Sequence, residues 1–206
     1  MNISSKDREQ IKALITEAEN KSDSELVPMI VSRSDSYPAA HFRSAIIFSF
    51  LFSLILYFSP LSIINPIYFL WIQIPGLIIG YFMGNIRWIT RLLITKHEIE
   101  YEVKQRAIEA FFEHNLHTTD KHNGVLIFIS LLERKIKIIT DVGVREKVDQ
   151  KIWDEIIFSF TTNVRTGEFI EALKGTISAT SDVLENYFPR NGAKKKNELG
   201  NDIIIE

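Results

Sequence analysis

Hydrophobic and polar positions alternate in three different rhythms along this chain. From Lys6 to Asn20 the apolar residues Ile11, Leu14, Ile15 and Ala18 recur at helical spacing, and Ser4 or Ser5 can cap the helix they predict. Glu25 to Ser32 (ELVPMIVS) reads as a strand, with Pro28 marking an edge position or a bulge because it has no ladder donor. Lys96 to Leu116 is a charged amphipathic helix, expected to run on directly from the apolar segment before it. Gly124 to Leu132 (GVLIFISLL) is continuously apolar, the pattern of a strand covered on both faces. Glu133-Arg134 turns the chain into Lys135 to Thr140 (KIKIIT), an alternating, half-exposed strand. Two further amphipathic helices are predicted over Glu146–Thr162 and Glu168–Phe188, and Ile203 to Ile205 can add a short last strand. Strands and helices in this order predict an α/β fold, a small mixed sheet flanked by helices.

The third rhythm has no polar phase. Ser44 to Ile86 contains no Asp, Glu, Lys, Arg or His. A spanning helix needs about 17–25 mostly apolar residues, so this run is long enough for two spans and too long for one. Ser59-Pro60 and Asn65-Pro66 supply a turn between spans of about 44–60 and 66–86. The expected organisation is a first domain segment over 1–40, an inserted transmembrane hairpin over 41–90 and a second domain segment over 91–188. Residues 189–206 follow as a basic linker with a terminal strand. His41 and Arg43 precede the first span, Arg87, Arg91 and Lys96 follow the second, and the turn has no charge. The positive-inside rule then predicts a multi-pass inner-membrane protein with both ends and the soluble domain in the cytoplasm. Tyr57 and Tyr68 near the turn and Trp88 at the other end suit interfacial belts.

Small residues repeat every four positions in both spans: Ala45, Ser49 and Ser53 in the first, Gly76, Gly80 and Gly84 in the second. Lipid gives apolar helices no hydrophobic reason to associate, so close backbone approach through small residues has to supply the contact. An antiparallel pairing sets Ala45 against Gly84, Ser49 against Gly80 and Ser53 against Gly76; a homo-oligomer through the glycine ridge is the other use of the same pattern. Pro75 is expected to kink the second span.

Composition narrows the chemistry. A net charge of −2 with no dense basic stripe outside the Lys194–Lys196 tail gives no electrostatic case for nucleic acid. With no cysteine, disulfides, thiolate metal sites and thiol catalysis are excluded. The N-terminal stretch Met1–Asn20 lacks the apolar core of a removable signal peptide. Phosphate loops, nucleophile elbows and dinucleotide fingerprints do not occur. Two groups of ligating side chains stand out. Glu113, His114, His117, Asp120 and His122 have metal-like spacing but straddle a helix end, where packing and the helix dipole account for histidines. Asp141 and Asp149 flank the loop at the carboxyl end of a strand, where a carboxylate pair could hold a hard cation such as calcium; loop and helix-start amides are the alternative use of both. No catalytic set is complete.

Several segments together resemble the TPM-domain family, which includes thylakoid lumen proteins of photosystem II assembly and repair. They are Ser24-Glu25-Leu26-Val27-Pro28, Leu116-His117-Thr118-Thr119 before GVLIFISLLERKIKII, and Asp141-Val142-Gly143-Val144. The closing Tyr187-Phe188-Pro189-Arg190 and Asn197-Glu198-Leu199 resemble a bacterial membrane subgroup with the same inserted hairpin. The resemblance implies an α/β/α sandwich and, for some relatives, calcium binding and weak acid phosphatase activity. Asp141-Val142-Gly143 departs from the family's usual Gly-aromatic-Gly turn. The expected function is accordingly a non-enzymatic interaction module, working with the lipid bilayer and a membrane-protein partner in assembly or maintenance of a membrane complex. A weak calcium-dependent phosphatase at the Asp141 loop is the alternative.

Overall fold

A computed structural model describes residues 3–60, 65–190 and 200–206 of the 206-residue chain. It divides into two compact units, one of Met1–Ser34 with Val103–Glu206 and one of Asp35–Glu102. The second interrupts the first in sequence, over a stretch wider than the 41–90 marked by hydropathy.

The first unit holds α1 (Ser5–Lys21), β1 (Glu25–Val31), most of α6 (Lys96–Glu113), β2 (Gly124–Ser130), β3 (Lys135–Thr140), α7 (Val142–Arg145), α8 (Gln150–Arg165), α9 (Phe169–Tyr187) and β4 (Ile204–Ile205). Ser4 caps α1 by accepting the Asp7 amide, satisfying a donor that the helix itself cannot. The strands form a mixed sheet in the order β3-β2-β1-β4. β1 runs parallel to β2 and to β4, and β3 is antiparallel to β2. One face of the sheet (Leu26, Ile30, Val125, Ile127, Ile129) packs with Ile11 and Ile15 of α1, Trp153 and Phe160 of α8, and Leu173, Ile177 and Leu184 of α9. Met29, Leu126 and Phe128, on the opposite face, are equally buried, which is why β2 reads as an unbroken apolar run.

Pro28 does not mark an edge strand. β1 is an inner strand, but β4 reaches it only at Met29 and Ile30. Ile30 accepts from Glu206 and the Ser32 amide donates to Glu206, so even-numbered residues of β1 face β4. The Pro28 nitrogen faces the same way, at a level β4 does not reach, and no ladder bond is lost. The loop expected after β3 contains the extra turn α7, and α8 starts four residues later than periodicity suggests because Asp149 caps it. Most of the basic linker lies outside the described residues.

The second unit contains α2 (Pro38–Tyr57), α3 (Tyr68–Trp71), α4 (Gln73–Met83), α5 (Arg87–Leu93) and the start of α6. The second arm is interrupted at Ile72. Pro75 has no amide for the Trp71 carbonyl and its ring crowds that carbonyl, so the break falls one turn upstream of the proline. Continuation of the second arm, Tyr68–Met83, into α6 is corrected: the chain bends by 102° between that arm and α5, and α6 starts afresh at Lys96 after a Thr95 cap.

Candidate functional site

Small residues bring α2 and α4 together. A Cβ built on Gly76 would lie 2.7 Å from the Ser49 Cα, one on Gly80 2.7 Å from the Ala45 Cα, and one on Gly84 2.7 Å from the His41 Cα. No real side chain fits at such separations, so the helices touch backbone to backbone. The expected pairing of Ala45 with Gly84, Ser49 with Gly80 and Ser53 with Gly76 is corrected by one helical turn. A four-residue repeat presents the same ridge after each turn, so the ridge alone cannot choose between the registers. Groups at its end distinguish them. His41 and Phe42 meet Tyr81 edge-on at ring separations of 5.5 and 5.7 Å, which aligns His41, not Ala45, with the last glycine. Ser53, left without a glycine partner, is half-buried.

Outward-facing side chains of the pair are apolar and uncovered. Ile46, Phe50 and Ile55 on α2, Phe58 just after it, and Leu70, Trp71, Ile78 and Phe82 on the second arm, are all exposed, Phe50 at 68%. α2 has 20 residues, about 30 Å at helical rise, and is long and apolar enough to cross a membrane. Only 33% of its apolar window is buried, unlike the core helix of a soluble domain. Tyr68–Met83 passes the same test only when joined across the bend to Arg87–Leu93.

A polar clamp closes the base of this unit. The guanidinium of Arg43, one residue before the uncharged run, donates to both carboxylate oxygens of Glu98 (2.8 and 2.9 Å) and to the Leu93 carbonyl (2.8 Å). Glu98 also accepts the Thr95 amide at 2.7 Å and the Thr95 hydroxyl at 2.8 Å, while its own amide donates back to that hydroxyl at 3.2 Å. Thr95-x-x-Glu98 is thus a capping box that starts α6. The Arg43 guanidinium, helped by Thr95, holds the Glu98 carboxyl down at about 2. Thr95-x-x-Glu98 could have been read from the sequence; its bidentate partner, fifty-five positions away, could not.

In the first unit, Asp141 Oδ1 accepts the Val142 amide at 2.7 Å and caps α7, and Asp149 Oδ1 accepts the Lys151 amide at 2.9 Å and caps α8. His122 Nδ1 lies 3.3 Å from Asp141 Oδ2. The setting of Asp141 differs from the expected ligand-gathering end of the sheet. Thr140 pairs with Val125 on the antiparallel β3, so the Asp141 loop lies at the amino ends of the parallel strands β1 and β2. Their carboxyl ends hold a residue that sequence reading passed over. Glu133 is buried and accepts the Ser34 amide at 2.9 Å and the Ser130 hydroxyl, tying the chain after β1 to the β2–β3 turn. Glu113 is paired with Arg106 at 2.7 Å, which lowers its carboxyl below the ordinary range, and the His117 ring packs 4.9 Å from Phe112. Among the described residues no three His, Cys, Asp or Glu side chains gather as a metal-holding group.

A model of the TPM domain matches residues 90–183. Among solved structures, the chain is similar to the BA42 protein of the psychrophilic bacterium Bizionia argentinensis, determined by NMR. The TM-score is 0.62 at 18% identity, and the match covers 100% of this chain and 97% of that one. No curated protein matches. The fold is TPM-domain-like.

Proposed function

We propose that this chain is a bilayer-anchored TPM-like domain of the membrane subgroup, whose hairpin spans the membrane twice. The domain serves as a non-enzymatic interaction module in assembly or maintenance of a membrane complex. One observation carries the anchor: the α2–α4 pair buries its small residues and leaves large apolar side chains exposed along both arms. Water penalises such a belt by about 25 cal/mol per Å² of apolar surface, and hydrocarbon does not. Arg43, Arg87, Arg91 and Lys96 at the open end of the hairpin favour a cytoplasmic domain. An interaction role is supported by the TPM-like fold and by the structural work already assigned to Asp141 and Asp149 as helix caps.

The absence of native cysteine makes the test direct. Single cysteines at Asn65, beside the turn, and at Glu155, on α8, are labelled in intact cells with a membrane-impermeant maleimide. The reading expects labelling at 65 alone. Labelling at 155 alone inverts the topology, and release of the chain by alkaline washing overturns membrane integration.

The second reading, a calcium-dependent phosphatase, is favoured by the Asp141–His122 pair, where an imidazole stands beside a carboxylate on a loop. It expects the thermal midpoint of the domain to rise in millimolar calcium and the rise to vanish in Asp141→Asn. An unchanged midpoint overturns it.

A further inference from the structure

The bend at the base of the second arm is held by specific bonds. Thr90, buried on α5, donates its hydroxyl to the Gly84 carbonyl at 2.6 Å, an acceptor freed where α4 ends, and the same hydroxyl lies 3.1 Å from the Ile86 carbonyl, which already accepts the Thr90 amide. Gly84 itself lies against the His41 backbone. Ile89 and Thr90 form the buried side of α5. Opposite them, Trp88 and Leu92, one turn apart, are 67% and 74% exposed. At ~100° per residue, Arg87 and Arg91 fall beside that apolar stripe, Arg87 exposed and Arg91 half-buried.

We infer that α5 is an in-plane amphipathic helix that seats Trp88 and Leu92 at the headgroup boundary of an anionic phospholipid bilayer, with the exposed Arg87 facing the lipid phosphates. The inference rests on the membrane reading of the hairpin and adds to it the depth and partner of this one segment. Three observations select lipid as the occupant. The stripe is continuous with the exposed Phe82 and Ile86 at the end of the second arm. The 102° bend turns α5 across the arm's axis; with an arm tilted ~20° from the bilayer normal, α5 lies within ~30° of the membrane plane. Tryptophan with flanking arginine is the side-chain pair that the interface favours, and anionic headgroups complement it.

The test places one nitroxide label at a time through Phe50→Cys, Trp88→Cys, Leu92→Cys or Glu155→Cys in the full chain. The protein is reconstituted in vesicles of phosphatidylcholine and phosphatidylglycerol. Accessibility to oxygen and to a water-soluble nickel chelate is then read by power saturation. The expected result is loss of nickel accessibility at 88 and 92 relative to 155, at a depth shallower than 50, with outward movement of both when phosphatidylglycerol is omitted. Labels at 88 and 92 as open to nickel as 155, with 50 still in hydrocarbon, overturn the inference and leave the hairpin standing. A label at 50 open to nickel overturns the hairpin and this inference together. Labels at 88 and 92 as deep as 50 overturn the in-plane placement.

Discussion

The two units are built on opposite rules. In the α/β unit, large apolar side chains are the contact: Phe128, Leu126, Ile127, Leu173 and Ile177 are fully buried between sheet and helices. In the hairpin unit the closest contacts are made by the glycines of α4 against the backbones of His41, Ala45 and Ser49, and large side chains such as Phe50, Phe58 and Phe82 stay exposed. On the bilayer-anchored reading proposed above, the difference reflects solvent. A sheet face gains by leaving water, so its bulk goes inside. Where the surroundings are as apolar as the side chains, burial brings no such gain, and close backbone packing is the remaining source of attraction.

The largest expected effect separates two phenylalanines. Phe128→Ala should cost the α/β unit about 3–5 kcal/mol, because a fully buried ring leaves a cavity. Phe50→Ala should leave the helix pair intact and weaken only retention in the bilayer. Denaturant titration of the full chain in micelles checks the first, and alkaline extraction the second.

Two glycines sharpen the same contrast. Gly80→Leu drives a side chain into the Ala45 backbone and should weaken the helix pair by about 1–3 kcal/mol, or force it into another register. Proteolytic resistance of the hairpin in detergent should fall; unchanged resistance would show that the contact is not close. Gly175, inside α9, has nothing within 4 Å of an added Cβ. Gly175→Ala should therefore stabilise the α/β unit by about 0.5–1 kcal/mol, through helix propensity alone.

Acid should act on the clamp. Glu98 titrates at about 2 when folded against an ordinary 4.5, so its contribution is complete above pH 4.5 and is lost as pH falls toward 2. With Arg43 39% and Glu98 25% exposed, screening trims that contribution to the order of 2 kcal/mol. The hairpin unit of Glu98→Gln should show a weaker pH dependence between 4.5 and 2 than the parent, followed by proteolysis of the segment 94–102.

Much of the α/β unit was legible because its signals are local. Period-2 and period-3.6 hydrophobicity located β1, β2, β3, α1, α8 and α9, and the run GVLIFIS announced a strand covered on both sides. The loop acids were legible as residues and not as a place: strand direction put Asp141 at the amino ends of β1 and β2, and direction is a property of the assembled sheet. Glu133 was missed for a similar reason, since its partners Ser34 and Ser130 meet only when β1 and β2 lie side by side.

By itself, the sequence determined that an uncharged segment interrupts an α/β pattern, and that the segment carries two small-residue ridges able to pack. Those are consequences of composition and period, which act over one or two helical turns. Only the tertiary structure decided the register of the ridges, the 102° bend after Gly84 and the pairing of Arg43 with Glu98. A four-residue repeat is degenerate to a shift of one turn, so the choice fell to contacts between residues distant in sequence, His41 with Tyr81 and a guanidinium with a helix cap.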